Sequence, residues 1–302
     1  MRQVTLLIAL TIATIIYAGS EKIEPALFLP KAISGMVSGL LRVDEQILAV
    51  GERGHILSTN LKLEKIEQEN SPVNQFMTGI TANKQGTLFV LGHDGLLLKG
   101  TKNHWSVQKL DQDINNPLFD LVFNQYNIGL AVGAYGTLLL SQDGGETWEE
   151  SVIDEEEPHL YSVAIDERNN FYVSGEFGTL VKFSPDGTLL WKLDTEIEST
   201  FFGLELLSEN NFYVYGLRGT VFYTKNGKDF EKIDLHTQAS IFCSTKRNDE
   251  VIFCGSDGVI IGYDGKNIRN YSLSERVHVT SVLNDENRLI IGTSKGLKEV
   301  KL

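Results

Sequence analysis

Hydrophobic and polar positions along most of this chain fall into short apolar runs of about five residues, bounded by Gly, Asn or Asp. Residues 118–123, 129–132, 137–140 and 148–153 form one such series, separated by polar turns. Runs that are rich in β-branched and aromatic residues predict half-buried strands joined by tight turns. Beyond the N-terminus, no stretch keeps an apolar helical period over three turns. The pattern therefore predicts an all-β protein.

The same strand–turn–strand unit recurs seven times, and each copy carries a glycine pair in its central turn. The first glycines are Gly51, Gly92, Gly133, Gly175, Gly216, Gly255 and Gly292. Six copies have the spacing Gly-x-x-Gly, and the seventh has one extra residue. A period near 40 residues with several short strands per unit is typical of a β-propeller blade. The repeat predicts a seven-bladed β-propeller.

The two ends of the chain carry further predictions. Arg2, the apolar run 4–17 and the small residues that follow it have the layout of a secretory signal peptide, residues 1–20. We expect cleavage after Ala18 or Ser20, with an uncleaved membrane anchor as the minority alternative, and a single propeller domain over residues 21–302. The last unit lacks sequence for a fourth strand, so we expect residues 26–29 to supply it and close the ring. Export would place the domain in the periplasm, with no membrane insertion of its own and as a monomer.

Charge limits the classes of partner. The chain has 27 basic residues against 40 acidic ones, a formal charge of −13. Such a balance argues against nucleic acid or an anionic membrane surface as the main ligand. The densest acidic run, residues 148–150 continuing into 154–157, is expected to be a solvated loop between blades. A docking patch for a basic partner is the minority alternative, and a weak calcium site in the four consecutive carboxylates also stays open.

One turn carries a complete motif. Residues 141–148 match the Asp-box pattern Ser-x-Asp-x-Gly-x-Thr-Trp at every defining position: Ser141, Asp143, Gly145, Thr147 and Trp148. The carboxylate can accept hydrogen bonds from turn amides, and the tryptophan can anchor the outer strand. The three tryptophans are each 43 residues apart, as a periodic structural anchor should be. We expect the motif to be structural.

With residues 132–141 leading into this motif, the chain resembles the photosystem II stability and assembly factor family of Ycf-type repeat proteins. Weaker echoes occur at residues 174–180 and 215–221. The resemblance implies a non-enzymatic exported propeller, without a cofactor, that helps to assemble or stabilise a membrane protein complex. Photosynthetic members carry a basic patch of arginines. Here only Arg53 and Arg218 lie between paired glycines, which favours another membrane or envelope complex as partner.

The turn tips between paired glycines are the candidate binding site. Arg53, Tyr135, Phe177 and Arg218 are residue types enriched in protein-binding patches, and we expect them on one face of the propeller. His93, His159, His236 and His278 should lie in loops on the same face as polar surface. No histidine pair has metal-ligand spacing, so no metal site is predicted.

The alternative function is an Asp-box glycoside hydrolase of the sialidase type. Its members need an arginine triad and a Tyr/Glu nucleophile pair, and no spacing here singles out such a set. We therefore expect no catalytic residues, although abundant carboxylates leave a two-carboxylate hydrolase open.

Two cysteines, Cys243 and Cys254, complete the candidate residues. A hairpin closed around residues 247–250 would place them opposite each other on adjacent strands. Two alternatives stay open: a disulfide, which an exported compartment allows, and a pair of small buried apolar side chains.

Overall fold

The structure, a computed structural model, describes residues 24–110, 114–151, 153, 157–193 and 195–302. The expected signal peptide, residues 1–20, lies outside the described residues. Seven antiparallel sheets follow one another along the chain, six with four strands and one with three. Each inner strand contacts the inner strand of the next sheet, and the first contacts the last. The all-β, seven-bladed β-propeller is confirmed.

The strands run outward from the ring axis in chain order. Blades 1 and 2 comprise β1 (Val37–Val43), β2 (Gln46–Gly51), β3 (Ile56–Asn60), β4 (Glu67–Gln68), β5 (Met77–Ala82), β6 (Leu88–Gly92), β7 (Leu97–Thr101) and β8 (His104–Val107). Blades 3 and 4 comprise β9 (Leu118–Phe123), β10 (Gly129–Gly133), β11 (Leu138–Ser141), β12 (Glu149–Ser151), β13 (Leu160–Ile165), β14 (Phe171–Gly175), β15 (Leu180–Phe183) and β16 (Leu189–Leu193).

Blades 5 to 7 complete the ring. They comprise β17 (Phe201–Ser208), β18 (Asn211–Gly216), β19 (Val221–Thr224), β20 (Glu231–Lys232), β21 (Ile241–Arg247), β22 (Glu250–Gly255), β23 (Ile260–Tyr263), β24 (Ile268–Asn270), β25 (Val279–Asp285), β26 (Arg288–Thr293) and β27 (Gly296–Lys301). Helix in the described part of the chain is limited to 3₁₀ turns at Ala32–Ser34, Glu52–Gly54, Leu217–Gly219 and Ser256–Gly258. None of the described segments forms a helix long and apolar enough to cross a membrane.

The hydrophobic core is divided among the seams between blades. In one seam, Phe89 and Leu91 of blade 2 pack with Leu121, Ala131 and Leu139 of blade 3. Equivalent apolar clusters fill the other seams of the ring. The second strands are buried along nearly their whole length because both of their faces meet a neighbouring blade. This two-sided burial makes the ring rigid.

The expected closure by an N-terminal strand is wrong. The last blade has three strands, and residues 26–29 form no strand. Instead, this segment lies along the end of blade 1. The side-chain amide of Gln68 accepts from the Leu29 N–H at 3.1 Å and donates to the Leu27 carbonyl at 2.9 Å, and the Ala26 N–H donates to the Ser71 carbonyl at 3.2 Å. One side chain thus satisfies the backbone groups that a strand partner would have paired.

Inner-strand contacts close the ring. Thr280 Oγ1 donates to the carbonyl of Val37, and Arg42 pairs with Asp285 at 3.3 Å. Arg288 also donates to the Leu61 carbonyl across the same seam, at 2.7 Å. Leu29 and Leu297 pack against the buried apolar cluster of this seam, which includes Leu57. The N-terminal segment therefore covers the seam between blades 7 and 1 without extending the sheet of either.

Removal of residues 24–30 should lower the free energy of unfolding by about 2 kcal/mol, because three hydrogen bonds and the burial of Leu29 are lost. Urea denaturation of chains beginning at residues 24 and 31 measures this difference. Hydrogen exchange should quicken at the amides of residues 67–71. Faster exchange confined to residues 296–301 would instead indicate the closing strand that the sequence suggested.

Candidate protein-binding site

The Gly-x-x-Gly turns lie on one face of the propeller, together with the links between blades. In each blade the first glycine or its neighbour pairs with the first residue of the inner strand, as Gly175 does with Leu160. A Cβ on the second glycine would strike the link that leaves the same blade; at Gly219 it would lie 2.2 Å from the Thr237 carbonyl oxygen. Only glycine fits there, so the turn tips are held tightly against the links. We call this surface the tip face.

Two of the four predicted contact residues line one groove. Phe177 and Arg218 stand on either side of a cavity of about 930 Å³ between the tips of blades 4 and 5, with Leu217 beside Arg218. Tyr135 projects from the neighbouring tip of blade 3. Arg53 projects from blade 1, on the far side of the ring. The structure therefore brings Tyr135, Phe177 and Arg218 to adjoining blades, and it leaves Arg53 apart from them.

The apolar tips are exposed and strained. Phe177 is 74% exposed, Tyr135 59% and Leu217 39%. The second residue of each of the six Gly-x-x-Gly tips has a left-handed backbone, with φ of +53° for Tyr135 and +54° for Phe177. Bulky side chains are disfavoured there, by about 1 kcal/mol or more, whereas Asp and Asn tolerate it. Two other blades have Asp94 and Asp257 at this position. Large aromatic side chains that are both exposed and strained indicate a functional surface.

A second set of aromatic residues, which the sequence reasoning missed, lies beside the tips at the start of the inner strands. Each inner strand has a bulge after its first residue, and the bulged residue is left out of the pairing. In blades 3 to 6 this residue is aromatic: Phe119, Tyr161, Phe202 and Phe242. Their rings contact one another in sequence, with centroids 5.3, 5.2 and 5.7 Å apart. We call this half-buried series the aromatic arc.

His159 connects the tips with the aromatic arc. Its ring lies 4.7 Å from that of Tyr135 and 6.4 Å from that of Phe119, and its backbone N–H donates to Glu176 Oε2 at 3.0 Å. His278 lies 6.1 Å from Phe242 of the arc, and His93 lies 5.2 Å from Phe76, the residue before β5. The loop histidines therefore do more than form polar surface, because three of them pack against aromatic rings. The four histidines share no local sequence motif, so the sequence could not show these ring contacts.

The Asp-box is a closed hydrogen-bonded turn. Asp143 accepts from the hydroxyls of Ser141 at 2.8 Å and Thr147 at 2.6 Å, and from the backbone N–H groups of Glu146 and Thr147. Desolvation opposes the charged form, but these donors outweigh it and lower the pKa of Asp143 to about 2. All acceptor positions of the carboxylate face its own turn. The motif has the geometry of a closed, hydrogen-bonded turn.

Asp143→Asn should lower stability at pH 7 by about 1 kcal/mol or less, since the turn is exposed and screened by solvent. The folded-state pKa lies below the ordinary value of 3.8, so the carboxylate stabilises the fold above pH 4 and loses this effect as the pH falls towards 2. The stability difference between the two proteins should therefore vanish over that range, measured by urea denaturation at a series of pH values. A difference that stays constant down to pH 2 would contradict this assignment.

Two carboxyl groups near the ring axis have raised pKa values, a feature also found in glycosidases. Burial raises the pKa of both Asp120 and Glu205. Each is engaged with the next blade, however. Asp120 accepts from the Ser162 hydroxyl at 3.0 Å and the Val163 N–H at 2.9 Å, and Glu205 accepts from the Ser244 hydroxyl at 2.6 Å. These hydrogen bonds join neighbouring inner strands, so Asp120 and Glu205 both act as structural contacts between blades.

Cys243 and Cys254 are directly opposite each other on β21 and β22, which confirms the predicted register. Both thiols are free in the structure, so the disulfide alternative is not realised in it. The Cys243 Sγ lies 3.8 Å from the Val279 carbonyl of the next blade. It therefore contacts the seam between blades 6 and 7. Among the described residues, no cluster of three or more His, Cys, Asp or Glu side chains could hold a metal ion.

Comparison with known proteins supports the resemblance inferred from the Asp-box blade. The family model for the photosynthesis system II assembly factor YCF48 matches residues 99–192. The photosystem II assembly lipoprotein Ycf48 of Synechocystis sp. (strain ATCC 27184 / PCC 6803 / Kazusa) is 31% identical over 148 residues. This alignment spans 47% of the present chain and 43% of that relative. The chain thus covers less than half the length of the curated relative that it matches.

Solved structures share the fold over nearly the whole chain. A structure of YCF48 bound to D1 peptide has a TM-score of 0.73 at 12% identity, covering 93% of this chain and 99% of that one. Virginiamycin B lyase from Staphylococcus aureus has a TM-score of 0.78 at 11% identity, covering 93% and 99%. Such low identities show the fold alone, and an assembly factor and a lyase share it. The sequence matches confirm the likeness to Ycf48-type β-propellers.

Proposed function

We propose that this protein is a non-enzymatic, exported β-propeller that assists the assembly of a membrane or envelope protein complex. It docks on that complex through the tip face of blades 3 to 5. One observation carries the proposal. Tyr135, Phe177 and Leu217 are apolar, exposed and adjacent, and the first two keep a strained backbone that Asp would adopt more easily. A rigid ring that presents preformed tips gains little order on docking, so little affinity is lost to conformational entropy.

The relatives support the same class of function. The curated relative is named an assembly lipoprotein of photosystem II, and one structural neighbour was solved with a D1 peptide. A membrane protein complex is therefore the partner class that we propose for this chain. The hydrogen-bonded state of Asp120 and Glu205 also favours a binding role over glycoside hydrolysis, because neither is left as an unengaged acid or base.

Affinity purification tests the docking face. The tagged mature protein, the double variant Phe177→Asp/Leu217→Ser and the control Tyr126→Ser are each recovered from solubilised membranes of the native organism. Tyr126 is a matched control because it is 62% exposed and lies in the turn between β9 and β10, at the opposite end of these strands from the tips. We expect the native protein and the control to retain one membrane complex, and the double variant to recover on the order of tenfold less.

Equal recovery by the double variant would place the contact elsewhere and contradict the docking face. A purified protein that hydrolyses a glycoside, and that recovers no complex, would support the hydrolase alternative instead. Thermal denaturation of each variant separates lost docking from lost folding.

The N-terminal residue of the protein from cells tests whether the signal peptide is removed on export. Mass spectrometry of the protein from expressing cells should show a chain that begins at Gly19 or Glu21, in a periplasmic fraction. An intact Met1 on membrane-bound protein would contradict removal of the signal.

A further inference from the structure

The aromatic arc replaces a set of structural hydrogen bonds. In blades 1, 2 and 7 the bulged inner-strand residue is Ser38, Thr78 or Thr280, and its hydroxyl donates to a carbonyl of the next blade. Ser38 and Thr78 do so at 2.5 Å. The same position in blades 3 to 6 carries an aromatic ring, which forgoes this bond. The fold therefore accommodates a small hydroxyl residue here, and it does not require the four rings.

The arc leaves aromatic surface exposed on the tip face, where the inner strands begin. Phe119 and Tyr161 are nearly parallel, with an interplanar angle of 19°, whereas Tyr161 meets Phe202 edge-on at 82°. All four rings are half-buried. Each ring thus packs against its neighbours and keeps part of its surface free on the tip face. Tyr135 is joined to the arc through His159, so the arc and the tips form one continuous aromatic surface.

The surroundings of this surface are acidic. In the described tips and links of blades 3 to 5 the carboxylates are Glu157, Glu176, Glu196, Glu198 and Asp234, and Arg218 is the cation. Lys232 adds a second cation at the edge of the groove. Glu176 is held beside the arc, because it accepts from the His159 N–H at 3.0 Å. Burial and, after it, the nearby Glu176 carboxylate raise the pKa of Tyr161. A carboxylate held beside aromatic faces matches a cationic group in both charge and geometry.

From this complementarity we propose that the aromatic arc and Glu176 bind a basic, apolar peptide segment of the docking partner, with a lysine or arginine side chain seated over the rings beside Glu176. The inference rests on the proposed docking function and specifies the chemistry of the partner. A guanidinium or ammonium is attracted by the aromatic faces and by the carboxylate together, and apolar neighbours on the segment cover the Phe177 and Leu217 tips. An acidic segment would meet five carboxylates and be repelled.

The test uses synthetic peptides and the mature chain. Fluorescence anisotropy compares a labelled 12-residue peptide of alternating Lys/Arg and Leu/Phe with two analogues, one with Glu at every basic position and one with Ser at every apolar position. The variants are Tyr161→Thr, Phe202→Thr and Glu176→Gln, with Tyr126→Thr as control. Threonine is the residue that blades 2 and 7 already have at the bulge, so folding should persist, and thermal denaturation checks this.

We expect the basic apolar peptide to bind and both analogues to bind on the order of tenfold more weakly. Phe202→Thr and Tyr161→Thr should each weaken binding by a similar factor, and Glu176→Gln should weaken it and flatten its dependence on salt. The control should leave affinity unchanged. Equal binding of the Glu analogue, or full affinity in the folded arc variants, would overturn the proposal.

The affinity purification separates this inference from the docking function. If the arc variants still recover the membrane complex while Phe177→Asp/Leu217→Ser does not, the tip face is the docking site and the proposed basic segment is wrong. If none of these variants loses the complex, the docking face itself is wrong.

Discussion

Replacing Trp148 with alanine should lower the free energy of unfolding by about 3–5 kcal/mol, as large truncations in a packed core do. Trp148 is 6% exposed, and its ring packs edge-on against Phe89 of blade 2 and Phe123 of its own blade, at 6.5 and 6.0 Å. Alanine would open a cavity in the seam between two blades. Urea denaturation measures the effect. A binding defect without loss of stability would mean that Trp148 is a contact residue instead.

Trp105→Ala provides the matched comparison, because Trp105 lies in the outer strand of blade 2 but is only partly buried. Its indole N–H donates to Glu69 Oε2 at 3.1 Å, whereas that of Trp148 has no partner in the structure. The loss should be about 1–2 kcal/mol, most of it from the hydrogen bond and partial burial. Equal losses for the two tryptophans would contradict the assignment of Trp148 as the stronger anchor.

Lys182→Met should lower the free energy of unfolding by about 3 kcal/mol. This is a large effect for a lysine whose burial the sequence does not show. The side chain of Lys182 is 5% exposed, and its ammonium lies 3.3 Å from Glu209, 3.8 Å from Asp166 and 4.8 Å from the centre of the Tyr172 ring. Desolvation disfavours the charge, but Tyr172 and Glu209 outweigh it and raise the pKa of Lys182. Methionine keeps the volume and leaves the fully buried side chain of Asp166 without a cation.

Lys99→Met is the control for this prediction. Lys99 occupies the same register in blade 2, opposite Phe89, as Lys182 does opposite Tyr172 in blade 4. It pairs with the exposed Glu146, and an ion pair of this kind contributes little. We expect a loss of about 0–1 kcal/mol for Lys99→Met, by urea denaturation at neutral pH. Similar losses for both lysines would contradict this prediction. They would show that the buried ion pairs of Lys182 stabilise the fold no more than the exposed ion pair of Lys99.

The tip residues could be identified from the sequence because the turn that presents them is local. A glycine pair separated by two residues forces a reversal between two apolar strands, and whatever lies between the glycines projects outward. Phe177 and Arg218 follow from that chemistry, as does the Asp-box turn around Asp143. Their grouping into one groove needed the ring, because blades 4 and 5 are neighbours and blade 1, with Arg53, is far from both.

The aromatic arc could not be predicted, although its residues recur at regular intervals. A bulge inserts one residue into each inner strand and shifts the alternation of faces by one, so Phe119 and Tyr161 read as ordinary strand residues. Their contacts run between blades and never within one. The burial of Lys182 could not be predicted either, because its partner Glu209 belongs to the next blade and is distant in the sequence pattern of blade 4.

Residue types and spacing along the chain were therefore enough to predict the repeat: seven blades, their turns, the Asp-box and the register that sets Cys243 opposite Cys254. Each of these depends on residues close together in the chain, where hydrogen bonding and backbone conformation are dictated by local residue types. The way in which the ring closes could be seen only in the folded protein. Residues 26–29 could have paired with the last blade, but the Gln68 amide and the seam around Leu57 hold them against blade 1. Such choices depend on packing between segments distant in the chain, which local pattern does not encode.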